Sequence, residues 1–448
     1  MASEGIGRRT FIQAGASGIA AIALAQGKSG AVEVAAPSKP ALLGGKPVRH
    51  KDFPKWPQID GKHEKTWQEV LKDRGWCRLN GEYVQQFEEE FAKAIGTKYC
   101  LAVANGTSAL IASLNALGIA PGDEVLVPPY TFVATVNAVL LQYALPVFVD
   151  TDPETFEMDA AKVEGLITER TRAVIPVHLG GNVVDMDTLL AVTKKHNIPV
   201  IEDACQAHFA EWRGKRVAGL GDTGCFSFQV TKNLSCGEGG AMMTDRDDLI
   251  ESAGSFHTNG RPWKAKSGFS YVRNGSNLRM TEFQGALLLE QLKRVEAQSK
   301  VREENAAYLT KRLEAIPGIH PAKQYEGTTR NAYHLYMFRY DSESFGGLSR
   351  DRFQEALNAE GVPNMSGYTP LNEQPFLKEA LYSRGFQNVF GKQAIDVHIE
   401  RMACPANDRL CTEAVWFGQT MLLGPRSDMD DIADAIERIH THAKELMA

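Results

Sequence analysis

Between about Trp67 and Ile316 the chain alternates short apolar runs with amphipathic stretches, and this alternation is the tightest constraint on its fold. Glu124–Val127 is an apolar run closed by Pro128-Pro129, and Pro146–Asp150, Ala173–Val177 and Pro199–Glu202 are further strand-like runs. Glu82–Ala94, Ser108–Leu117, Phe132–Leu141 and Met186–His196 carry helical spacing. Strands that alternate with helices build βαβ units and a largely parallel sheet. A long helical stretch from about Thr281 to Ile316, with Leu287, Leu288, Leu292 and Val295 apolar, meets a stop at Pro317-Gly318. The C-terminal third alternates less clearly. The expected architecture is α/β: a large domain over 41–300, its mostly parallel sheet flanked by helices, and a smaller α+β domain over 301–448.

Composition sets outer bounds. Of 448 residues, 43% are hydrophobic and 23% charged, which excludes a disordered chain, a collagen-like repeat and a small disulfide scaffold. The net charge of −6 comes from 49 basic and 55 acidic residues without a Lys/Arg block, which speaks against nucleic acid as a partner. The seven cysteines are scattered and lack a C-x-x-C pair, which argues against a zinc site and against a fully paired disulfide framework. The first forty residues differ from the rest: Arg8-Arg9 precede Phe11-Ile12, an Ala/Gly-rich run spans Ala14–Ala25, and Pro37-Ser38-Lys39-Pro40 reads as a linker. That run is too short and too glycine-rich to span a membrane stably. The pattern resembles a twin-arginine export signal, although Gly7 and Gln13 depart from the usual flanks. Export to the periplasm is the expectation; a cytoplasmic tail is the alternative.

Three segments carry chemistry. In Phe226–Thr244 two β-like runs flank a single lysine, Lys232, and a glycine-rich turn. Burial would lower the lysine's pKa and make it an amine nucleophile, whereas an exposed position in a hairpin loop would leave it ordinary. Asp203 ends the apolar run Ile198–Glu202. Ligands of open α/β sheets sit beyond the carboxyl ends of the strands, so this carboxylate could pair with a protonated ring nitrogen; a helix N-cap is the competing role. Asn105-Gly106-Thr107-Ser108 follows the run Leu101–Ala104 and opens a helix. Its amides could cradle a phosphate or simply start a capped helix. Gly219–Gly224 matches G-x-G-x-x-G literally, but it leads into a strand-like segment, so it is no dinucleotide fingerprint.

Together these segments describe a cofactor with a phosphate, a basic ring nitrogen and an aldehyde. With PYTFVAT (129–135), PVHLGG (176–181), EDACQAH (202–208), FSFQVTKN…GEGGA (226–241) and GSNLRMTEFQGAL (275–287), the chain resembles the DegT/DnrJ/StrS group of pyridoxal-phosphate aminotransferases over about 42–440. The resemblance implies the type I fold of such transferases and pyridoxal 5′-phosphate as cofactor. It implies a Schiff base at Lys232, which would also shuttle protons, and Asp203 against the pyridinium nitrogen. Phe132 would stack on the ring, Gln206 would lie near the phenolic oxygen or the other ring face, and Gly106, Thr107 and Ser227 would hold the phosphate. Asn277 would reach the phosphate of a neighbouring subunit, making a homodimer with shared sites. His334 and Tyr336, which strand alternation puts on one face, would border the substrate pocket, and Arg261 suits a carboxylate. Gln229-Val230 before the lysine and Gly260-Arg261-Pro262 look closest to the cyclitol-aminotransferase and aminohydroxybenzoate-synthase branch. The implied reaction moves an amino group from glutamate or glutamine to a keto-sugar or keto-cyclitol. A dehydratase or aromatising synthase, or a non-catalytic cofactor-binding protein, are the rivals; the dehydratases carry histidine where this chain keeps Lys232.

Overall fold

The computed structural model describes residues 38–265 and 267–447; the twin-arginine pattern lies outside them. The sheet that positions the site has seven strands: β1 (Tyr99–Val103), β2 (Glu124–Val127), β3 (Leu145–Phe148), β4 (Thr171–Val174), β5 (Ile201–Asp203), β6 (Thr223–Ser227) and β7 (Gly240–Thr244). Their spatial order is β3-β2-β4-β5-β6-β7-β1, the parallel bridges Val174–Val200 and Val177–Asp203 joining the halves between β4 and β5. Only β7 runs antiparallel to its neighbours. β2 is buried at all four positions, as a continuous apolar run in a covered parallel sheet requires.

Pleating sends alternate side chains to two separate cores. Ala102, Leu126, Val174 and Phe226 pack on one face with Phe87 and Phe91 of the helix Tyr83–Ile95. Leu101, Val103, Val125, Val127 and Cys225 pack on the other with Ala109 and Leu110 of the helix Gly106–Ala116. The helix Met186–His196 begins where the Asp185 carboxylate accepts from the Thr188 amide. It ends at Asn197 in the left-handed region (φ 54°), with Lys194, Lys195 and His196 in a last turn whose dipole favours cations.

The long helix occupies Glu282–Leu313. The division expected near residue 300 falls inside it, because no glycine or proline interrupts 286–316. Its second half packs Ala306, Leu309 and Leu313 into a third core with Phe338, Val415 and Ile436, which Leu42, Leu43 and Phe53 also cover. That core backs an antiparallel sheet in the order Ile319–Pro321, Leu335–Tyr340, Ala414–Gly418, Met365–Ser366. No helix among the described residues is long and apolar enough to cross a membrane.

The 219–224 loop spends its amides internally. Glu202, fully buried, accepts from the amides of Ala218 (2.8 Å), Leu220 and Gly221 (both 2.7 Å) and from His178 Nε2 (3.1 Å). The loop is thus a cradle for a carboxylate of the protein itself. Glu202→Leu strands these donors in a dry interior and should lower the unfolding free energy by about 3–5 kcal/mol, measurable by urea denaturation.

Candidate active site

At the carboxyl ends of β4–β6 a cavity of roughly 860 Å³ opens, lined by Lys232, Asp203, Gln206, Phe132, Gly106, Thr107, Ser227 and His334 among others. Residues from five separate sequence segments therefore meet in one space.

Lys232 sits in the turn between β6 and β7, a hairpin whose strands are both buried throughout. Burial pushes its amine pKa down, partly offset by Asp203 and Cys205. Its Nζ lies 3.4 Å from His334 Nε2. The neighbouring Asn233 fixes that imidazole. Its Nδ2 donates to the Ala332 carbonyl (2.7 Å), so its Oδ1 must accept from His334 Nδ1–H (3.2 Å). Nε2 is left as an acceptor facing the lysine. Burial, with the charges of Lys232 and Arg302, holds His334 well below its ordinary pKa, so it stays neutral.

Asp203 ends β5, buried, with Oδ2 accepting from the Thr135 hydroxyl (2.8 Å) and Oδ1 from the Cys205 amide (3.2 Å). Thr135 is itself held by Thr131 one helical turn earlier (2.9 Å). Gln206 Oε1 accepts from the Gly180 amide (2.8 Å), which turns Nε2 to Tyr368 Oη (2.9 Å). Phe132 is 58% exposed on the cavity wall, a bare ring offered to whatever enters.

Asn105 caps the helix through Ser108 (2.9 Å), leaving the amides of Gly106 and Thr107 without an intrahelical acceptor. A Cβ on Gly106 would lie 2.8 Å from Cys205 Sγ and 2.9 Å from Ser227 Cβ, so only glycine lets this turn approach so closely. The residues fit pyridoxal phosphate: an amine of lowered pKa, an anion-binding helix start and a buried carboxylate share one cavity.

Not every expected residue is there. Tyr336 packs into the C-terminal core, its hydroxyl 2.9 Å from Thr310 Oγ1. The alternation that paired it with His334 fails because the strand begins only at Leu335, after Tyr333 in the left-handed region (φ 47°). Neither Asn277 nor Arg261 lines the cavity. Their segment runs along the outer edge of β1, where Val103 bridges Arg279 and the Ala104 amide donates to the Leu278 carbonyl. Asn277 is exposed there. Thr135, Asn233 and Tyr368 are the residues that sequence reasoning missed. The first two lie inside quoted motifs; Tyr368, 162 positions from Gln206, carries no local signal.

Sheet and site together define an aminotransferase of the α/β type. The DegT/DnrJ/EryC1/StrS aminotransferase family profile matches residues 57–416, and the chain belongs to that family, which implies pyridoxal phosphate as cofactor. An L-glutamine:2-deoxy-scyllo-inosose aminotransferase of Streptoalloteichus tenebrarius is 36% identical over 423 residues, spanning 91% of this chain and 99% of that protein. An L-glutamine:scyllo-inosose aminotransferase of Streptomyces griseus is 35% identical over 420 residues, spanning 91% and 98%. The crystal structure of 3-amino-5-hydroxybenzoic acid synthase matches with a TM-score of 0.78 and 32% identity, covering 89% of this chain and 100% of that one.

The lowered pKa makes a direct prediction. In cofactor-free protein, acylation of Lys232 followed by mass spectrometry should reach half its limiting rate below pH 10.5, the ordinary lysine value. The sign follows from burial, which disfavours the ammonium and exposes the lone pair at lower pH.

Proposed function

We propose that this protein transfers the amino group of glutamine to a keto-cyclitol of the scyllo-inosose type. The observation that carries the proposal is Lys232, an amine of lowered pKa in one cavity with the buried Asp203 and the Gly106 helix start. The substrate class follows the printed activities of the Streptoalloteichus and Streptomyces relatives.

Pyridoxal phosphate, when bound, supplies a carbon to carry the nitrogen and an electron-withdrawing ring to stabilise charge at the donor α-carbon. Gly106, Thr107 and Ser227 would hold its phosphate. Asp203 would pair with the ring nitrogen, and Thr135 keeps the Asp203 carboxylate aimed. Phe132 and Gln206, the latter braced between Gly180 and Tyr368, would contact the ring. Lys232 Nζ, an amine of lowered pKa, would take up the proton released at the donor α-carbon and return it in the acceptor half-reaction. His334 Nε2 accepts from Lys232 and keeps its lone pair directed between these positions. The proposal includes a homodimer in which the exposed Asn277 reaches the phosphate of the neighbouring site. It also includes export directed by Arg8-Arg9.

Lys232→Ala should retain the fold and lose amine transfer from glutamine by about a thousandfold or more in kcat, scored by appearance of the aminocyclitol. Full transfer by the variant overturns the assignment. Sedimentation of the holoenzyme should give a dimer, and fractionation should find the protein in the periplasm.

A further inference from the structure

The long helix Glu282–Leu313 buries a charge that no carboxylate answers. Arg302 is 0% exposed, and burial alone, with no counter-charge, pushes its pKa down to about 9. Its Nε and Nη2 donate to Gln419 Oε1 at 2.9 and 2.6 Å, while Nη1 has no partner. With Oε1 held by both bonds, the Gln419 amide turns Nε2 away, and this buried nitrogen has no partner either. The guanidinium carbon lies 5.6 Å from the centroid of the Trp56 ring, whose buried Nε1 is a third donor without an acceptor.

Two of these three residues border the cavity already described, with Arg302 buried behind them. Trp56 and Gln419 both line it. The Gln419 backbone N–H donates to the His334 carbonyl (3.1 Å), and His334 Nε2 is 3.4 Å from Lys232 Nζ. Three unsatisfied donors and one uncompensated positive charge thus gather at one corner, beside the neighbour of the lysine. Buried donors are nearly always satisfied and buried charges nearly always paired, so such a gathering points to an absent anion.

We propose that Gln419 Nε2 and Trp56 Nε1, backed by the Arg302 guanidinium, form the subsite for the α-carboxylate of the amino donor. The proposal rests on the transamination reading above. A keto-cyclitol carries no charge, so the two substrates that share the cavity differ in the one property this corner reads. Arg302 is a positioning residue here: it acts by holding Gln419 Oε1 and by its field.

The test uses glutaramate, which is glutamine without its α-amino group and cannot react. Calorimetric titration into the cofactor-loaded protein should give saturable binding to wild type. Gln419→Leu and Trp56→Phe should each weaken it about tenfold or more, as loss of a charged hydrogen bond requires. Trp56→Phe keeps an aromatic ring near Arg302 while removing the N–H together with part of the indole, so it reports even where Gln419→Leu fails to fold. Unchanged affinity in Trp56→Phe and in folded Gln419→Leu, or no saturable binding to wild type, overturns the subsite. Bleaching of the cofactor absorption band by glutamine tests the transamination reading separately. A wild type that ignores glutamine yet binds glutaramate through Trp56 and Gln419 overturns that reading and leaves the carboxylate subsite standing.

Discussion

A carboxylate sealed from solvent, Glu202, ties together the parts on which the site depends. It gathers the 218–221 loop through three amides and the 178–184 turn through His178, whose Nδ1 in turn accepts from the Val184 amide. Because strand side chains alternate, Asp203 points the opposite way, into the cavity. The turn that His178 anchors then presents the Gly180 amide to Gln206. One buried anion therefore orients the strand end, the turn beside it and the amide side chain that lines the site. Such a group is strongly specifying, because satisfying it partially is far worse than replacing it altogether.

The large domain was legible because its signals are local. Glu124–Val127 and Met186–His196 coincide with the elements found there, since an apolar run between breakers and a capped amphipathic helix each declare themselves. The site was legible where a motif carries its own geometry: Lys232, Asp203, Gln206, Phe132, Gly106, Thr107, Ser227 and His334 meet as expected. Tyr336 failed because one left-handed residue, Tyr333, cannot be seen in a side-chain pattern. The division near residue 300 has no local marker either, since the helix Glu282–Leu313 runs through it. Cores follow contacts, and the C-terminal core recruits Leu42 and Leu43 from the far end of the sequence. Tyr368, Trp56 and Gln419 reach the cavity from positions that nothing in their neighbourhoods singles out.

The electrostatics of the cavity divide into a deep and a shallow part. At the strand end Asp203 is a fixed negative charge with its hydrogen bonds already made. Lys232 and His334 form a pair in which burial disfavours charge on both, so their contact is a hydrogen bond between an amine and a neutral imidazole. His208, buried and pushed to a pKa of about 3, donates to the Ser227 carbonyl and adds no charge. The Arg302 charge adds to the burial that keeps His334 neutral.

The contact of Gly240 with the helix start has a mechanical meaning. A Cβ there would come within 2.4 Å of the Asn105 carbonyl and 2.7 Å of the Gly106 nitrogen, so backbone lies against backbone along this seam. β7 carries the lysine turn back into the sheet, and the seam binds it to the segment that opens the anion-binding helix. The strand returning from Lys232 and the helix start at Gly106 are therefore fixed against each other, so the spacing between the amine's turn and the free amides is set by backbone contact rather than by side chains.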